Sequence, residues 1–574
     1  MAMEDEAFEI ELWQIERMRV ERMRESARLR IQENQDGERR EIEQITTRPS
    51  KQQRGHEEDK QRSLRRPVET ERPDSRGRGG AETDQHERES ARRQLGARWA
   101  PISLAFAAAA AVLLRAPFFG LPLTSDEGGY AEVARLWQHG HSLYSDLFVD
   151  RPQGLLLFYR GLLALDLTST VALRAAAAGV AAATVLVVAA IAARVGGRIN
   201  GYATAVLLAT LGASPLIESF TLSGELLAAL PAALSLLAFT VFLRVGKLRW
   251  AAFAGLLCGT ALMMKQSGFD TGLAAAAWLV LARRRQPRAG KALGLLVGGA
   301  AIPVVAGLLA APSASAWFDA VIAYRGRGDS LLTGSLLHRL HLFLGTLPAA
   351  AAALGLLAVL AAYGWGRAHL LLRLWVIAAV VGVVGGGNFH PHYYVQLAPP
   401  LAAVGGAGIA RLESGRVAVS ALVGSTLIAV AAAASVALAS TSEQVHLIWR
   451  DDPHLRWDRG VAASIRARVP HERPIAVLWG DAALYFLADR PPAVRYLWYR
   501  NAEALPGATQ HDIHVLAERP VAVVVTLAGV ERRYPPLRLI IGCAYRPLLV
   551  RGPLELFAPR PAAWRGGKLL PHCR

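Results

Sequence analysis

The chain has 574 residues, 52% of them hydrophobic, and a net charge of +17. That length would serve three or four soluble domains, but the apolar residues gather into repeated stretches of roughly 17–25, the length that crosses about 30 Å of hydrocarbon as helix. The first 98 residues hold 22 Lys/Arg and 23 Asp/Glu, so the positive excess lies further on, as short basic clusters between apolar runs; it marks membrane topology and gives no argument for nucleic acid.

Residues 1–98 read as a hydrophilic cytoplasmic tail. Between Lys51 and Gly96 the branched aliphatics are Leu64, Val68 and Leu95 alone, too few for a core, so disorder is expected. Nearer the start, Phe8, Leu12, Ile15 and Met18 follow helical spacing beside Arg17, Arg19, Arg22 and Arg24. A helix lying on an anionic membrane fits this pattern, as does a solvated, ion-paired helix or a misassigned start codon. No secretory signal precedes the tail, and the first apolar run begins near Pro101.

Eleven membrane spans are predicted within 99–440, near 101–118, 168–193, 201–217, 225–243, 250–264, 269–282, 292–311, 341–363, 370–387, 394–410 and 417–439. With the tail in the cytoplasm, the inner loops carry Arg194/Arg198, Arg244/Lys247/Arg249, Arg283–Arg285/Arg288/Lys291, Arg367 and Arg411/Arg416, as the positive-inside rule requires. Of the twelve acidic residues between Trp99 and Ser440, eleven then fall at or beyond the outer face, Glu413 being the exception. Two outer loops are long, 119–167 and 312–340. Apolar periodicity around Tyr130, Val133, Ala134 and Trp137 predicts a helix along the membrane in the first.

After Ser440 the spans stop, and 441–574 reads as a small extracytoplasmic α/β domain. Helices are expected near 459–468 and 481–488, and strands at 475–479, 521–527 and 537–542. No internal repeat is evident. The three cysteines show no metal-ligand spacing; Cys258 reads as packing, and a Cys543–Cys573 bridge is compatible with an extracytoplasmic end.

Five of the twelve acids, Asp126, Glu127, Glu132, Asp146 and Asp150, share the first outer loop. Carboxylates beside a bilayer are costly to leave unpaired, which makes the loop a site candidate. Asp126 and Glu127 are placed to take a proton from an acceptor, and the alternative is a solvated acidic pair. In Asp150-Arg151-Pro152 the guanidinium offers a planar fork to phosphate, or else pairs locally at a loop exit. Lys265 ends a span, as a phosphate ligand or a snorkelling anchor. Arg325 and Arg327, beside Trp317 and Tyr324, are either further phosphate ligands or a solvated basic loop. His390, His392, Tyr393 and Tyr394 occupy a short outer turn, suited to hydrogen bonding with a sugar or phosphate more than to metal.

In chain order these segments resemble the GT-C membrane glycosyltransferases, in particular the glycosyltransferase 39/83 group of protein O-mannosyltransferases and lipid A aminoarabinose transferases. The stretch SDEGGYAEVARLWQHGHSLYSDLFVDRPQGLLLFY (125–159) is similar to that group's first outer loop, which starts Asp-Glu-x-x-Tyr-Ala and ends acidic-basic-Pro-Pro. SFTLSGELLAALPAALS (219–235) resembles its outer turn, and ALMMKQSG (261–268) its Thr-Lys-Gly/Gln motif with Met264 for Thr. HYYVQLAPPLA (392–402) is similar to Arg-Tyr-Leu-Leu-Pro, and IAVLWGDAALYFLADRPPAVRY (475–496) to the outer domain of bacterial members. The departures are Gly129 where some relatives carry Arg, Arg-Pro-Gln-Gly in place of basic-Pro-Pro, and His392 in place of Arg.

The resemblance, which covers about 100 to 500, implies a polytopic α-helical GT-C-like fold in the plasma membrane. It implies an inverting glycosyltransferase that moves a sugar from a polyprenyl-phosphate donor to a protein, glycan or glycolipid acceptor at the outer face. Asp126 would be the catalytic carboxylate with Glu127 beside it, and Asp150 a second acid. Lys265 would hold the donor phosphate; Arg151 as a further phosphate ligand, and Tyr130, His392 and Tyr393 as residues lining the substrate, are expected from the residues themselves. No cofactor is required; a divalent cation on Asp126, Glu127 and Asp150 is compatible but not favoured. The rival reading, a transporter or lipid-carrier flippase, usually places ionisable residues at the bilayer midplane, whereas these gather at one face.

Overall fold

The computed structural model describes residues 102–284, 286–324, 326, 336–412, 414–450, 452 and 454–573. The expected tail lies outside the described residues, and so do Arg325 and Arg327.

Each apolar segment singled out in the sequence is a helix, and two further helices lie in the first long loop. In chain order they are α1 (Ile102–Phe118), the loop helices α2 (Ser125–Gln138) and α3 (Gln153–Ala164), α4 (Thr170–Gly196), α5 (Arg198–Thr210), α6 (Gly224–Val245), α7 (Arg249–Met264) and α8 (Asp270–Ala282). Then follow α9 (Ala289–Ala310), α10 (Leu336–Gly364), α11 (Leu370–Gly386), α12 (Ala398–Ile409) and α13 (Gly415–Ala437). Among the described residues α4, α6, α9, α10 and α13 are long and apolar enough, by length and composition, to cross a bilayer. α9 and α13 expose Val297, Ile302, Val305, Leu309, Val417, Val423, Leu427 and Ile428, the apolar surface that hydrocarbon covers.

The shorter helices stop early because their ends turn into tighter backbone. α5 continues as 3₁₀ turns at Leu211–Ala213 and Pro215–Ile217, and α12 is preceded by the 3₁₀ stretch Pro391–Leu397. Pro399 and Pro400 begin α12, where a missing N–H costs no helical bond. α7 and α9 pack backbone to backbone: a Cβ on Gly255 would lie 2.0 Å from the Leu296 carbonyl oxygen, and one on Gly259 2.3 Å from that of Ala300. This is the small-xxx-small contact of membrane helices.

Beyond α13 come α14 (Thr441–Ile448), α15 (Leu455–Arg466) and a mixed sheet of β1 (Ile475–Leu478), β2 (Val523–Leu527), β3 (Tyr545–Arg551) and β4 (Leu554–Pro559). The strand order is β1-β2-β4-β3, with β1 parallel to β2 and the other pairs antiparallel. β1 is buried along its whole length, which is why it reads as an unbroken apolar run. The strand expected at 537–542 is instead a helix, Pro535–Ala544. Its prolines suit a first helical turn, and Leu537, Ile540, Ile541 and Ala544 are buried at helical spacing. Cys543 and Cys573 form a disulfide, and Cys258 is a buried free thiol.

The first long loop docks on this sheet-bearing segment. Arg135 pairs with Asp489, Phe148 N–H donates to Arg495 O at 3.1 Å, and the Arg495 guanidinium donates to Tyr144 O at 2.7 Å. Gly129 is required at the contact, since a Cβ there would lie 2.4 Å from Trp498 Cζ2. That accounts for glycine at this position. Gly129→Val is expected to lower stability by about 1–3 kcal/mol, the usual cost of overpacking. Thermal unfolding of the detergent-solubilised protein reads this out, and an unchanged melting temperature would mean that Trp498 moves aside freely.

Candidate active site

The site begins where α2 starts. Thr124 caps the helix by accepting from Glu127 N–H, and the Glu127 carboxylate accepts back from Thr124 N–H at 3.2 Å. This reciprocal capping box leaves Asp126 on the first turn with its side chain 33% exposed. Tyr130, one turn on, donates to Asp126 Oδ2 at 3.1 Å, and burial holds its phenol well above the usual pKa so that it keeps its proton.

Glu127 is placed differently. It is 1% exposed and accepts from Arg174 Nη2 at 2.9 Å, Arg174 Nε at 3.2 Å and Leu222 N–H at 3.0 Å. Arg174, also fully buried, gives further donors to the carbonyls of Phe118, Leu121 and Pro122. The pair therefore clamps the end of α1, the start of α2 and the turn before α6 around one another.

Arg151 joins the two acidic elements of the loop. Its guanidinium lies 2.6 Å from Asp150 Oδ2, 4.0 Å from Asp126 Oδ2 and 5.8 Å above the Tyr130 ring. Burial alone would lower its pKa, but Asp150, Tyr130 and Asp126 outweigh that and hold it well above the ordinary value. The corner is pinned: Gln266 donates to Asp150 O at 2.7 Å, Tyr144 to Arg151 O at 3.1 Å, and Trp317 to the Gln153 side chain at 2.7 Å. Gln153, which departs from a second proline, thus ties the loop to the segment after α9.

Lys265 caps the end of α7 in extended conformation, with its ammonium ion-paired to Glu225 and 3.8 Å from the centre of the Tyr393 ring. His392 lies between two acids, Nδ1 at 3.5 Å from Glu218 and Nε2 at 3.8 Å from Glu225. His390 stacks on His392 at 5.5 Å and meets Arg500 at 3.2 Å. Burial, with Arg500, His392, Lys265 and Arg151 nearby, holds the His390 imidazole well below its usual pKa. Beside Ser125, whose hydroxyl accepts from Ala482 N–H, lies a further buried group. There Asp481 pairs with His454 at 3.3 Å; burial and the Asp481 charge hold Asp458 well above the carboxylate range.

Asp126, Asp150, Arg151, Tyr130, Lys265, His392 and Tyr393 therefore gather at one end of the bundle, from three separate stretches of chain. Glu127 borders them from within the packed clamp, and Arg325 and Arg327 fall outside the described residues. Among the described residues no group of three or more His, Cys, Asp or Glu is arranged to hold a metal ion. Sequence reasoning missed four charged residues here: Arg174, Glu218, Glu225 and Arg500. Two had a signal, since Arg174 and Glu225 stand inside apolar runs where a charge demands a partner.

This architecture, many apolar helices with a loop-built polar site at one end and a small sheet after the last span, is also found in solved structures, and the likeness is one of fold. The chain is a polytopic α-helical membrane protein. It aligns with ArnT from Cupriavidus metallidurans bound to undecaprenyl phosphate at a TM-score of 0.56 and 16% identity, over 81% of this chain and 98% of that one. The apo state of the same ArnT aligns at 0.53, with the same identity and coverage. The archaeal oligosaccharyltransferase AglB from Archaeoglobus fulgidus, in complex with an inhibitory peptide and a dolichol-phosphate, aligns at 0.47 with 12% identity over 82% and 75%. No protein-family model and no curated protein sequence matches the chain.

Proposed function

We propose that this chain is a glycosyltransferase that moves a sugar from a polyprenyl-phosphate carrier to an acceptor, with inversion, at the outer face of the plasma membrane. The observation that carries the reading is the pairing of a partly exposed carboxylate, Asp126, with a buried cation array, Arg151 and Lys265, on a fold shared with a protein bound to undecaprenyl phosphate. The donor's lipid lies in the bilayer, so its phosphate reaches the depth at which Lys265 ends α7.

In this reading Lys265 and Arg151 stabilise the negative charge that grows on the leaving phosphate. The acceptor attacks the anomeric carbon from the opposite side while Asp126 takes its proton, and one in-line displacement inverts the configuration. Tyr130 and Arg151 hold Asp126 in position, and Tyr393 and His392 line the sugar. Glu127 acts by orientation, since its oxygens are occupied by Arg174, Leu222 and Thr124. The basic inner loops support the orientation, and so does the Cys543–Cys573 bridge, which suits an oxidising compartment. The acceptor is a protein, glycan or glycolipid.

The test is release of polyprenyl phosphate from a panel of polyprenyl-phosphate sugars by protein reconstituted in lipid. Lys265→Ala is expected to weaken donor binding by about 10- to 100-fold, the loss of one charge-assisted contact. Unchanged donor affinity in that variant would remove Lys265 from the site.

A further inference from the structure

The end of the bundle away from Lys265 carries a second polar feature, which the transferase reading does not use. α7 separates the two, since it begins at Arg249 and ends at Met264, next to Lys265. Near its start, the turn from α6 to α7 and the turn from α8 to α9 come together. They enclose a pocket of about 250 Å³ lined by Phe242, Leu243, Gly246, Gln286, Pro287 and Arg288. α6 and α9 are each 22 residues long and apolar enough to cross a bilayer. A pocket at the end of one and the beginning of the other therefore lies at a membrane–water boundary.

The two turns offer positive charge without a partner. Arg244, Lys247 and Arg249 stand on the first and Arg283, Arg284 and Arg288 on the second, all of them exposed. Between Arg244 and Lys291 the one acid in the sequence is Asp270, which is buried at the far end of α8 and accepts from Trp375 Nε1 at 3.0 Å. Among the described residues none of the six cations meets a carboxylate. Arg288 lines the pocket itself. One of its Nη atoms donates to Gly246 O at 3.3 Å, which ties the two turns together and leaves the rest of the guanidinium fork to an anion.

The remaining surface is apolar. Phe242 and Leu243 form one wall, and Val245 and Leu281 nearby are 47% and 63% exposed. On α9, Gly290, Gly294 and Gly298 recur at every fourth position, starting two residues beyond Arg288, and a Cβ on any of them would meet nothing within 4 Å. They leave a shallow track up one face of the helix, into the depth of the hydrocarbon. A soluble anion gains nothing from such surface. A phospholipid uses both parts, its phosphate among the cations and its chain on the apolar track.

We propose that this pocket binds an anionic phospholipid, its phosphodiester held by Arg288 and Lys247 and one acyl chain laid along the glycine face of α9. The proposal is independent of the donor reading, because no residue of the candidate active site takes part in it.

The test is lipid retention by the full chain in native mass spectrometry, with phosphatidylglycerol or phosphatidylcholine offered in the same detergent. The expected result is one phosphatidylglycerol held per chain, at an affinity at least about tenfold above that for phosphatidylcholine. Replacing Arg288→Gln together with Lys247→Gln should weaken phosphatidylglycerol binding by about 10- to 30-fold at an unchanged melting temperature, since both side chains are exposed. Arg416→Gln, which removes an exposed cation from a different turn, should leave it at the wild-type value. Gly294→Leu, which fills the track and keeps every charge, should weaken it several-fold. Equal retention of the two lipids by the wild type overturns the proposal, as does wild-type retention in the double variant or in Gly294→Leu. A loss in Arg416→Gln as large as that in the double variant also overturns it, because the attraction would then belong to the charge of the whole face.

Discussion

Replacing Asp126 by Asn should lower transfer by about 100- to 10,000-fold, the range attributed to a positioned general base. The melting temperature should stay at the wild-type value. Asp126 is a third exposed on the first turn of α2, and its neighbours are the Tyr130 hydroxyl at 3.1 Å and Arg151 at 4.0 Å. An amide oxygen still accepts from Tyr130, so the substitution removes the basic oxygen and little else. The check pairs initial rates with donor affinity in the same preparation. A rate loss with unchanged donor affinity supports the assignment, and turnover within a few-fold of wild type would move the base elsewhere, with Asp150 the next group to test. A fall in melting temperature would mean that the carboxylate holds the helix start and that the rate loss is secondary.

Arg174→Ala is expected to be the most damaging single change to stability. The guanidinium is fully buried, bonds both oxygens of Glu127 and reaches three backbone carbonyls. Removing one partner of such a pair typically costs about 3–5 kcal/mol, because the remaining charge stays buried without compensation. Glu127→Gln keeps one acceptor, for Arg174 Nε and Leu222 N–H, but turns its NH2 toward the Arg174 Nη2 and Thr124 N–H donors and leaves Arg174 without a counter-ion, so it should destabilise as well. Thermal unfolding of both variants in one detergent measures the difference. If Arg174→Ala melts with the wild type, water has reached Glu127 and the clamp does not govern the fold.

The spans were readable because hydrocarbon imposes a length and a composition, and the loop acids stood out because charge beside a bilayer must be compensated. What distinguishes Asp126 from Glu127 was also written in the chain: Thr124-x-x-Glu127 is a capping-box signature, which assigns the glutamate to the helix start. Reading both members of the pair as placed to take a proton overlooked it. The partner of Lys265 was harder to see, because Glu225 lies about forty residues earlier and only the packing of α6 on α7 joins them. Glu218 gave no signal, since its left-handed φ of 54° is a product of its surroundings and not of local preference. The helix at Pro535–Ala544 was misread for a local reason: its branched aliphatics suggested a strand, while the Pro-Pro start and the three-and-four spacing of the buried positions marked a helix.

The contact between the first long loop and the segment after α13 also has a consequence in time. Tyr144 and Arg495, which bond one another, are 351 positions apart. At a synthesis rate of about 5–20 residues per second, the loop that carries Asp126 waits on the order of 20 to 70 s for the residues that cover it. Throughout that interval the growing chain has its candidate base and no finished site around it. The segment that covers the loop is thus made long after the loop itself.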